Sequence, residues 1–265
     1  MAEELFKNRA AIVTGAGVGI GFEIARQLAL QGVSILLNDV SMGLAETAAE
    51  QIRSEGGVCK AYACDVGDVE AVRQMVGAAV EAFGRLDITV CNAGLTVWGD
   101  FFEYTPEMFE RLISVNLRGS YFLAQAAARQ MRAQGSGGRI LFMSSVTGHQ
   151  SIQYLSGYSM TKAALEMLAR NLVVELSPYG ITVNCVAPGA TVTPRNLADD
   201  PNYEAIWGRI TPTGRVAFPA DIANAALFFL SPAAAQVTGQ TLIVDGGWSR
   251  ISPTPSLDFV EKPKE

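Results

Sequence analysis

Short runs of β-branched and other apolar residues alternate with helix-length segments along most of this chain. The apolar runs lie at residues 10–14, 33–38, 58–63, 87–91, 139–144, 181–186 and 241–244. Segments with helical periodicity lie between them, at residues 20–31, 44–54, 69–83, 106–134, 157–177 and 219–230. Continuous apolar strands are typical of a parallel sheet that is buried on both faces. The pattern therefore predicts an α/β fold, a doubly wound parallel sheet with right-handed crossovers and helices on both faces.

The length and composition of the chain are sufficient for one large domain. Its 265 residues are 49% hydrophobic and 17% charged, which allows a substantial buried core. We predict a single domain over residues 1–250. Residues 190–214, a long insertion after the sixth strand, predict a substrate lid, with a surface elaboration or a subunit contact as the alternative. Residues 251–265 carry three prolines, so we expect an extended C-terminal tail unless it docks on a neighbour.

Charge and hydropathy restrict the partners. The formal net charge is −6 and no basic stripe is present, so we expect neither a nucleic acid nor an anionic membrane as partner. The first residues lack the layout of a secretion signal, and no stretch approaches ~18 uninterrupted apolar residues. The sequence therefore predicts a soluble cytoplasmic protein whose partner is a small molecule.

Cysteine and histidine usage argues against a metal site. Cys59, Cys64, Cys91 and Cys185 include no C-x-x-C pair, which favours reduced structural thiols over disulfides or metal ligands. His149, the one histidine of the chain, is not part of a ligand cluster. We predict no metal.

A glycine-rich turn follows the first strand and leads directly into a helix. It contains Gly15, Gly17, Val18, Gly19, Ile20 and Gly21. Glycines in this position let backbone amides approach a pyrophosphate, and the helix N-terminus favours the anion. The position between a strand and a helix therefore predicts that these six residues bind a dinucleotide.

Asp39, at the end of the second strand, indicates which dinucleotide is bound. A carboxylate there can accept hydrogen bonds from the adenosine ribose hydroxyls. A 2′-phosphate would meet like-charge repulsion of roughly a few kcal/mol. Val18 supplies no positive charge to offset it, so we predict NAD, with NADP as the less favoured cofactor. The alternative is that Asp39 is only a turn or helix-start residue.

Tyr158 and Lys162 form a candidate acid/base pair. Four-residue spacing places both side chains on one face of a helix. A nearby cation favours the phenolate form of a tyrosine, which suits it to proton transfer. The alternative is an ordinary surface contact between an ammonium and a phenol.

Several motifs occur together in a familiar order and spacing. They are Thr14-Gly15-x-x-x-Gly19-x-Gly21, Asn92-Ala93-Gly94, Asn116, Ser145, Tyr158-x-x-x-Lys162 and Pro188-Gly189. This set resembles the short-chain dehydrogenase/reductase family over nearly residues 5–250. The resemblance implies a single Rossmann-type domain with a seven-stranded parallel sheet, NAD(P)-dependent alcohol/carbonyl chemistry and, commonly, a homotetramer.

The resemblance also implies catalytic roles. Tyr158 would be the general base that removes the hydroxyl proton, and Lys162 would favour its ionisation and bond the nicotinamide ribose. Ser145 would hold the substrate oxygen, and Asn116 would anchor a water linking Lys162 to solvent. Alternatives stay open: Ser145 could satisfy only a turn amide, Ser144 could be the functional hydroxyl, and Asn116 could be a polar helix residue.

By the same resemblance, further residues would contact the cofactor. Asp65 and Val66 would bind the adenine, and Pro188 and Gly189 would shape the nicotinamide pocket. Either Thr191 or Thr193 would bond the carboxamide. Asn92 would keep a polar role near the adenosine ribose, and Ala93 and Gly94 would also contact the cofactor. The family's more common asparagine before this triplet is replaced by Cys91, which we interpret as a packed strand residue.

Segments 95–98, 146–154 and the lid mix aromatic and polar residues, as expected for a ligand of sugar or polyol size. The candidate substrate residues are Thr96, Thr147, His149, Arg195 and Trp207. His149 could instead be exposed or capped. Arg195 and Arg209 could bind an anionic sugar acid, with surface pairing to Asp199 or Asp200 as the favoured alternative.

The chain looks most like sugar 1-dehydrogenases within the family, although Thr96 stands where glucose-type relatives often carry an acidic residue. We predict an NAD-dependent oxidoreductase that transfers hydride from a secondary or anomeric hydroxyl of a sugar- or polyol-like substrate. One alternative is an NADPH-dependent 3-oxoacyl or other carbonyl reductase. A non-catalytic dinucleotide-sensing protein is an alternative of another class.

Overall fold

The computed structural model describes residues 6–252 and places seven parallel strands in one sheet. The strands are β1 (Arg9–Val13), β2 (Val33–Asp39), β3 (Val58–Ala63), β4 (Ile88–Cys91), β5 (Gly138–Met143), β6 (Ile181–Pro188) and β7 (Thr241–Val244). Their order across the sheet is β3-β2-β1-β4-β5-β6-β7. The predicted fold class, a single-domain doubly wound parallel sheet, is confirmed. The predicted tail lies outside the described residues from position 253 onward.

Nine α-helices connect or follow the strands in the described part of the chain. They are α1 (Gly19–Leu30), α2 (Met42–Ser54), α3 (Val69–Phe83), α4 (Pro106–Ile113), α5 (Ser120–Gln134), α6 (Ser156–Leu176), α7 (Pro194–Asp199), α8 (Tyr203–Ile210) and α9 (Pro219–Leu230). None of the helices within residues 6–252 is long and apolar enough to cross a membrane.

The sheet separates two hydrophobic cores, because successive side chains of a strand point to opposite faces. Leu141 of β5 belongs to one core, which also contains Ile24 of α1 and Ile52 of α2. Phe142, the next residue, belongs to the other core with Leu123 of α5. This burial on both faces explains why the strands are continuously apolar.

The segment predicted as one helix over residues 106–134 is divided in the structure. A π-helical turn, Ser114–Gly119, separates α4 from α5. π-helical turns are rare and occur mostly within α-helices, often near functional sites. Helical periodicity alone does not reveal one, because the flanking pattern continues on both sides.

The strand order reverses between β1 and β4, which leaves a crevice at the carboxyl ends of these strands. The loops that follow all the parallel strands meet at this same edge. Residues 190–214 lie there too and contain α7 and α8, which the sequence pattern does not predict. Thr191, near the start of this segment, forms an isolated parallel bridge with Ala217, three residues beyond its end.

Candidate active site

A cleft of about 720 Å³ lies along the carboxyl edge of the sheet. Its size is within the roughly 300–1,000 Å³ that is typical of ligand pockets. Most of the predicted site residues line it: Gly15, Val18, Gly19, Ile20, Gly21, Asp39, Asp65, Val66, Asn92, Ala93, Gly94, Thr96, Ser145, Tyr158, Lys162, Pro188, Gly189, Thr191, Thr193 and Arg195. Five other candidates are not among the lining residues: Gly17, Asn116, Thr147, His149 and Trp207.

The cleft has two ends, which follow the order of the strands. Asp39 and Asp65 come after β2 and β3, together with the turn of residues 14–21 after β1, and these residues form its glycine end. Ser145 follows β5, and it forms the tyrosine end with Tyr158 and Lys162 of α6.

At the glycine end, close backbone packing holds the turn in place. Gly15 has φ +59°, and a Cβ there would lie 2.7 Å from Cα of Ala93. The Asn92 side-chain amide donates to the carbonyl oxygens of Thr14 and Gly15, at 2.9 Å each. The Asn92 side chain is therefore committed to fixing the shape of the turn, a role that the sequence did not indicate.

The N-terminus of α1 opens the glycine end to an anion. Val18 stands at the N-cap and makes no side-chain hydrogen bond, and the first turn contains no acidic residue. The first amides of a helix need acceptors from outside the helix. Uncapped amides and the helix dipole fit the pyrophosphate of a dinucleotide.

Asp39 is held by the backbone. One of its carboxylate oxygens accepts from the amide of Gly17 and the other from the amide of Ser41, both at 3.1 Å. Asp39 therefore orders the turn and the start of α2 while it also lines the cleft. Gly17 stands behind this carboxylate, since a Cβ on Gly17 would lie 2.8 Å from Asp39 Oδ2.

Other lining residues were not identified from the sequence. Arg111, Ser114 and Val115 come from α4 and the π-helical turn, and Cys64 precedes Asp65. The π-helical turn brings residues of a distant helix to the glycine end. No local motif marks these residues, because their position depends on the packing of the helix.

At the tyrosine end, Lys162 is buried, with 4% of its surface exposed. Its Nζ donates to the carbonyl oxygen of Met143 at 2.7 Å and lies 5.3 Å from the ring centroid of Tyr158. A Cβ on Gly94 would approach this Nζ to 3.4 Å. The ammonium is thus fixed between β5, the loop after β4 and the Tyr158 ring, rather than free on the surface.

Ser144 and Ser145 both line the cleft but have different partners. The Ser144 hydroxyl donates to Oε1 of Glu166 at 2.6 Å and lies 3.1 Å from the carbonyl oxygen of Lys162. The Ser145 hydroxyl oxygen accepts from the amide of Thr147 at 3.2 Å, which leaves its proton available for another acceptor. This difference favours Ser145 over Ser144 as the hydroxyl that meets a ligand.

Asn116 is buried in the π-helical turn, with 1% of its surface exposed. Its side-chain oxygen accepts from the amide of Leu95 at 2.8 Å. Its side-chain nitrogen donates to the Leu95 carbonyl at 3.0 Å and to the Thr161 hydroxyl at 3.1 Å. Asn116 thus connects the loop after β4 to α6, and its predicted role in anchoring a water stays a prediction.

The remaining substrate candidates are dispersed. His149 Nε2 lies 2.9 Å from a Glu166 oxygen, and Trp207 packs against Tyr203 and Trp248. Thr147 is buried. Within residues 6–252, Arg195 forms no ion pair, so the favoured pairing with Asp199 or Asp200 is absent there. Arg195 instead lines the cleft.

The four cysteines are free thiols, of which Cys59, Cys91 and Cys185 are buried. Burial raises the pKa of Cys185 to about 12 and that of Cys64 to about 11. Over the described range, no group of three or more His, Cys, Asp or Glu side chains is arranged to hold a metal ion.

Comparisons with known proteins agree with this arrangement. A family model described as "Enoyl-(Acyl carrier protein) reductase" matches residues 15–249. An L-rhamnose 1-dehydrogenase (NAD(P)(+)) of Azotobacter vinelandii is 38% identical over 250 residues, which cover 92% of this chain and 97% of that protein.

Solved structures are similar over nearly the whole chain. A gluconate 5-dehydrogenase from Burkholderia cenocepacia, in complex with NADP and tartrate, has a TM-score of 0.88 and 35% identity, and covers 95% of this chain and 100% of its own. A 7α-hydroxysteroid dehydrogenase in complex with NADH and 7-oxo glycochenodeoxycholic acid has a TM-score of 0.87 and 36% identity. The match covers 92% of this chain and 95% of that one.

Proposed function

Since the chain belongs to the short-chain dehydrogenase/reductase family and is an NAD(P)-dependent oxidoreductase, we propose that it oxidises a secondary or anomeric hydroxyl of a sugar- or polyol-like substrate. One observation carries the proposal: Ser145, Tyr158 and Lys162 line the same cleft as the glycine turn. The cofactor, when bound, accepts the hydride. The sugar-like substrate rests on the named relatives.

The residues of the tyrosine end have complementary roles in this proposal. Ser145 donates its free proton to the substrate oxygen and holds it near Tyr158. Tyr158 takes the hydroxyl proton as general base during oxidation and returns it during reduction. Lys162, held by the carbonyl of Met143, places its Nζ 5.3 Å from the ring centroid of Tyr158 and bonds the nicotinamide ribose of the cofactor. Asn116 holds the loop after β4 against α6 through its hydrogen bonds to Leu95 and Thr161.

We further propose that NAD is preferred over NADP. The Asp39 carboxylate faces the cleft and would repel a 2′-phosphate, and Val18 offers no compensating charge. The names of the relatives include NAD(P)(+), NADP and NADH, so the preference is tested by measuring turnover with NAD and with NADP. Asp65 and Val66 are proposed to bind the adenine, Thr191 or Thr193 the carboxamide.

A sugar acid is a second candidate substrate, and Arg195 favours it. This side chain lines the cleft and forms no ion pair within the described residues. A guanidinium in such a position can bind a carboxylate. A neutral aldose and an aldonate are therefore to be compared directly.

Three other properties belong to the same proposal. Residues 190–214 act as a lid, since Thr191 near their start pairs with Ala217 just beyond their end and this bridge can serve as a hinge. The protein assembles as a homotetramer and works in the cytoplasm, where four free thiols stay reduced. Light scattering tests the assembly, and a stable monomer would contradict it.

The decisive experiment is a substrate panel read by the absorbance of the reduced cofactor. It contains L-rhamnose and other aldoses, polyols, gluconate and simple secondary alcohols, each with NAD and with NADP. We expect turnover with at least one aldose or polyol, and faster with NAD. Reduction of a 3-oxoacyl thioester by NADPH without sugar oxidation would favour the carbonyl reductase. Cofactor binding without any turnover would favour a dinucleotide-sensing protein.

A further inference from the structure

The turn that carries Ser145 is attached to α6 by a buried carboxylate. Glu166 lies one helical turn beyond Lys162 and is 4% exposed. Its Oε1 accepts from the Ser144 hydroxyl at 2.6 Å and lies 2.9 Å from His149 Nε2. The two atoms are thus at ion-pair distance, and in such a contact a carboxylate oxygen can only be the acceptor.

Glu166 depends on these two partners. A buried carboxylate is costly unless it is paired and hydrogen-bonded. Over residues 6–252, Glu166 lies at ion-pair distance from His149 and from no Lys or Arg. Without His149, the buried Glu166 side chain keeps the Ser144 hydroxyl as its donor among the described residues.

The residues on both sides of Ser145 are in contact with α6. Before it, Met143 accepts from Lys162 Nζ, and Ser144 contacts both Lys162 and Glu166. After it, the 3₁₀ turn Val146–Gly148 lies directly on α6, because a Cβ on Gly148 would be 3.0 Å from Glu166 Oε1 and 3.2 Å from the amide nitrogen of Ala163. His149, the residue directly after this turn, contacts Glu166 of α6.

We propose that His149 is a positioning residue that acts through Glu166 and fixes the distance between Ser145 and the Tyr158–Lys162 pair. His149 does not line the cleft, so it touches neither substrate nor cofactor in this role. The inference rests on the proposed dehydrogenase function. It assigns to His149 a hydrogen bond to a carboxylate in place of a contact with the substrate.

Two substitutions separate this role from a general loss of packing. His149→Gln keeps an N–H donor near the position of Nε2, whereas His149→Asn moves the donor back to the position of Nδ1, out of reach of Glu166. Both are neutral amides and differ by one methylene group. The histidine side chain is 29% exposed, so either amide fits at a partly open site.

We expect kcat of His149→Asn to fall by about tenfold, since small displacements of a positioned group reduce the rate strongly. His149→Gln should rescue kcat to within about twofold of the original protein. The dissociation constant of NADH should be the same for all three proteins, because the glycine end is unchanged. KM should change less than kcat.

Nuclear magnetic resonance tests the contact without any substrate. The chain has one histidine, so a long-range ¹H–¹⁵N spectrum of tag-free protein shows a single imidazole without assignment by mutation. At a pH that keeps the ring neutral, we expect the Nε2-protonated tautomer. Glu166→Gln should shift both ring nitrogens, because a neutral amide replaces the charged acceptor.

The outcomes separate this inference from the proposed function. Equal kcat for the Gln and Asn variants, or an Nδ1-protonated ring that does not respond to Glu166→Gln, would overturn the positioning role and leave the dehydrogenase proposal intact. Absence of turnover by the original protein over the whole panel would overturn both. A rescued Gln variant with unchanged NADH binding supports the inference.

Discussion

At the glycine end of the cleft, backbone atoms define the shape, whereas at the tyrosine end buried side chains do. Gly15 and Asp39 contact main-chain atoms of neighbouring loops. Lys162 and Glu166 instead bond, through their side chains, the last residue of β5 and the residue that follows it. Under the proposed function the glycine end binds the cofactor and the tyrosine end carries out the reaction, so changes in each should alter different measured constants.

The largest expected effect is from Tyr158→Phe at the tyrosine end. Loss of the phenolic hydroxyl removes the proposed general base and should lower kcat by about 10³-fold. NADH binding, measured by titration of cofactor fluorescence, should stay within about twofold because the glycine end is untouched. Tyr179→Phe, an exposed tyrosine beyond the far end of α6, is the matched control and should leave kcat unchanged. Unchanged turnover in Tyr158→Phe would contradict the assignment of Tyr158 as the general base.

Asp39→Asn should alter cofactor choice with little effect on the chemical step. The amide keeps one of the two oxygen acceptors that the Gly17 and Ser41 amides use, and it removes the charge that would repel a 2′-phosphate. We expect the ratio of kcat/KM for NADP to that for NAD to rise by up to about 100-fold, from a repulsion of a few kcal/mol. Glu50→Gln, on the exposed face of α2, changes net charge equally and should have no effect. An unaltered ratio would mean that Asp39 serves the turn alone.

Gly21→Ala and Gly77→Ala compare two helical glycines. A Cβ on Gly21 would collide with the Asn92 side chain and lie 2.7 Å from the Gly15 carbonyl oxygen, whereas a Cβ on Gly77 meets nothing within 4 Å. Gly21→Ala should weaken NADH binding by about tenfold through displacement of the turn. Gly77→Ala should raise the free energy of unfolding by up to about 1 kcal/mol, with normal binding. Equal binding by both variants would contradict the role of close packing at the glycine end.

The smallest effect concerns the reactivity of Cys64. Burial raises the pKa of this thiol to about 11, so little thiolate is present near neutral pH. Alkylation by iodoacetamide should be slow at pH 7 and accelerate roughly tenfold per pH unit below the pKa. NADH should slow it further, because Cys64 lines the glycine end. Peptide mass spectrometry measures this, and rapid modification at neutral pH that ignores NADH would place Cys64 outside the bound-cofactor surface.

Some features could be read directly from neighbouring residues. The apolar runs predicted the strands, with β3 and β7 at the predicted bounds. The glycine turn and the Tyr158–Lys162 spacing were also recognisable, because each depends on a few adjacent positions of one strand, turn or helix. Short α7 and α8 were missed, since six- and eight-residue helices among prolines give little periodic signal.

Other features depend on residues far apart in the chain. Nothing local to Asn92 predicted that its amide would bind the turn after β1, and nothing near Ser144 predicted Glu166 as its acceptor. The π-helical turn could not be predicted either. The hydrogen-bond partners of its Asn116, Leu95 and Thr161, are distant in the sequence.

The amino-acid sequence by itself determined the alternation of strands and helices, the position of the glycine turn and the pairing of Tyr158 with Lys162. These follow from backbone periodicity, which acts over a few residues. Only the tertiary structure decided which serine keeps a free proton, where His149 points and which helix residues reach the glycine end. Those outcomes depend on burial and hydrogen bonds between segments that approach one another only after the sheet and its helices have packed.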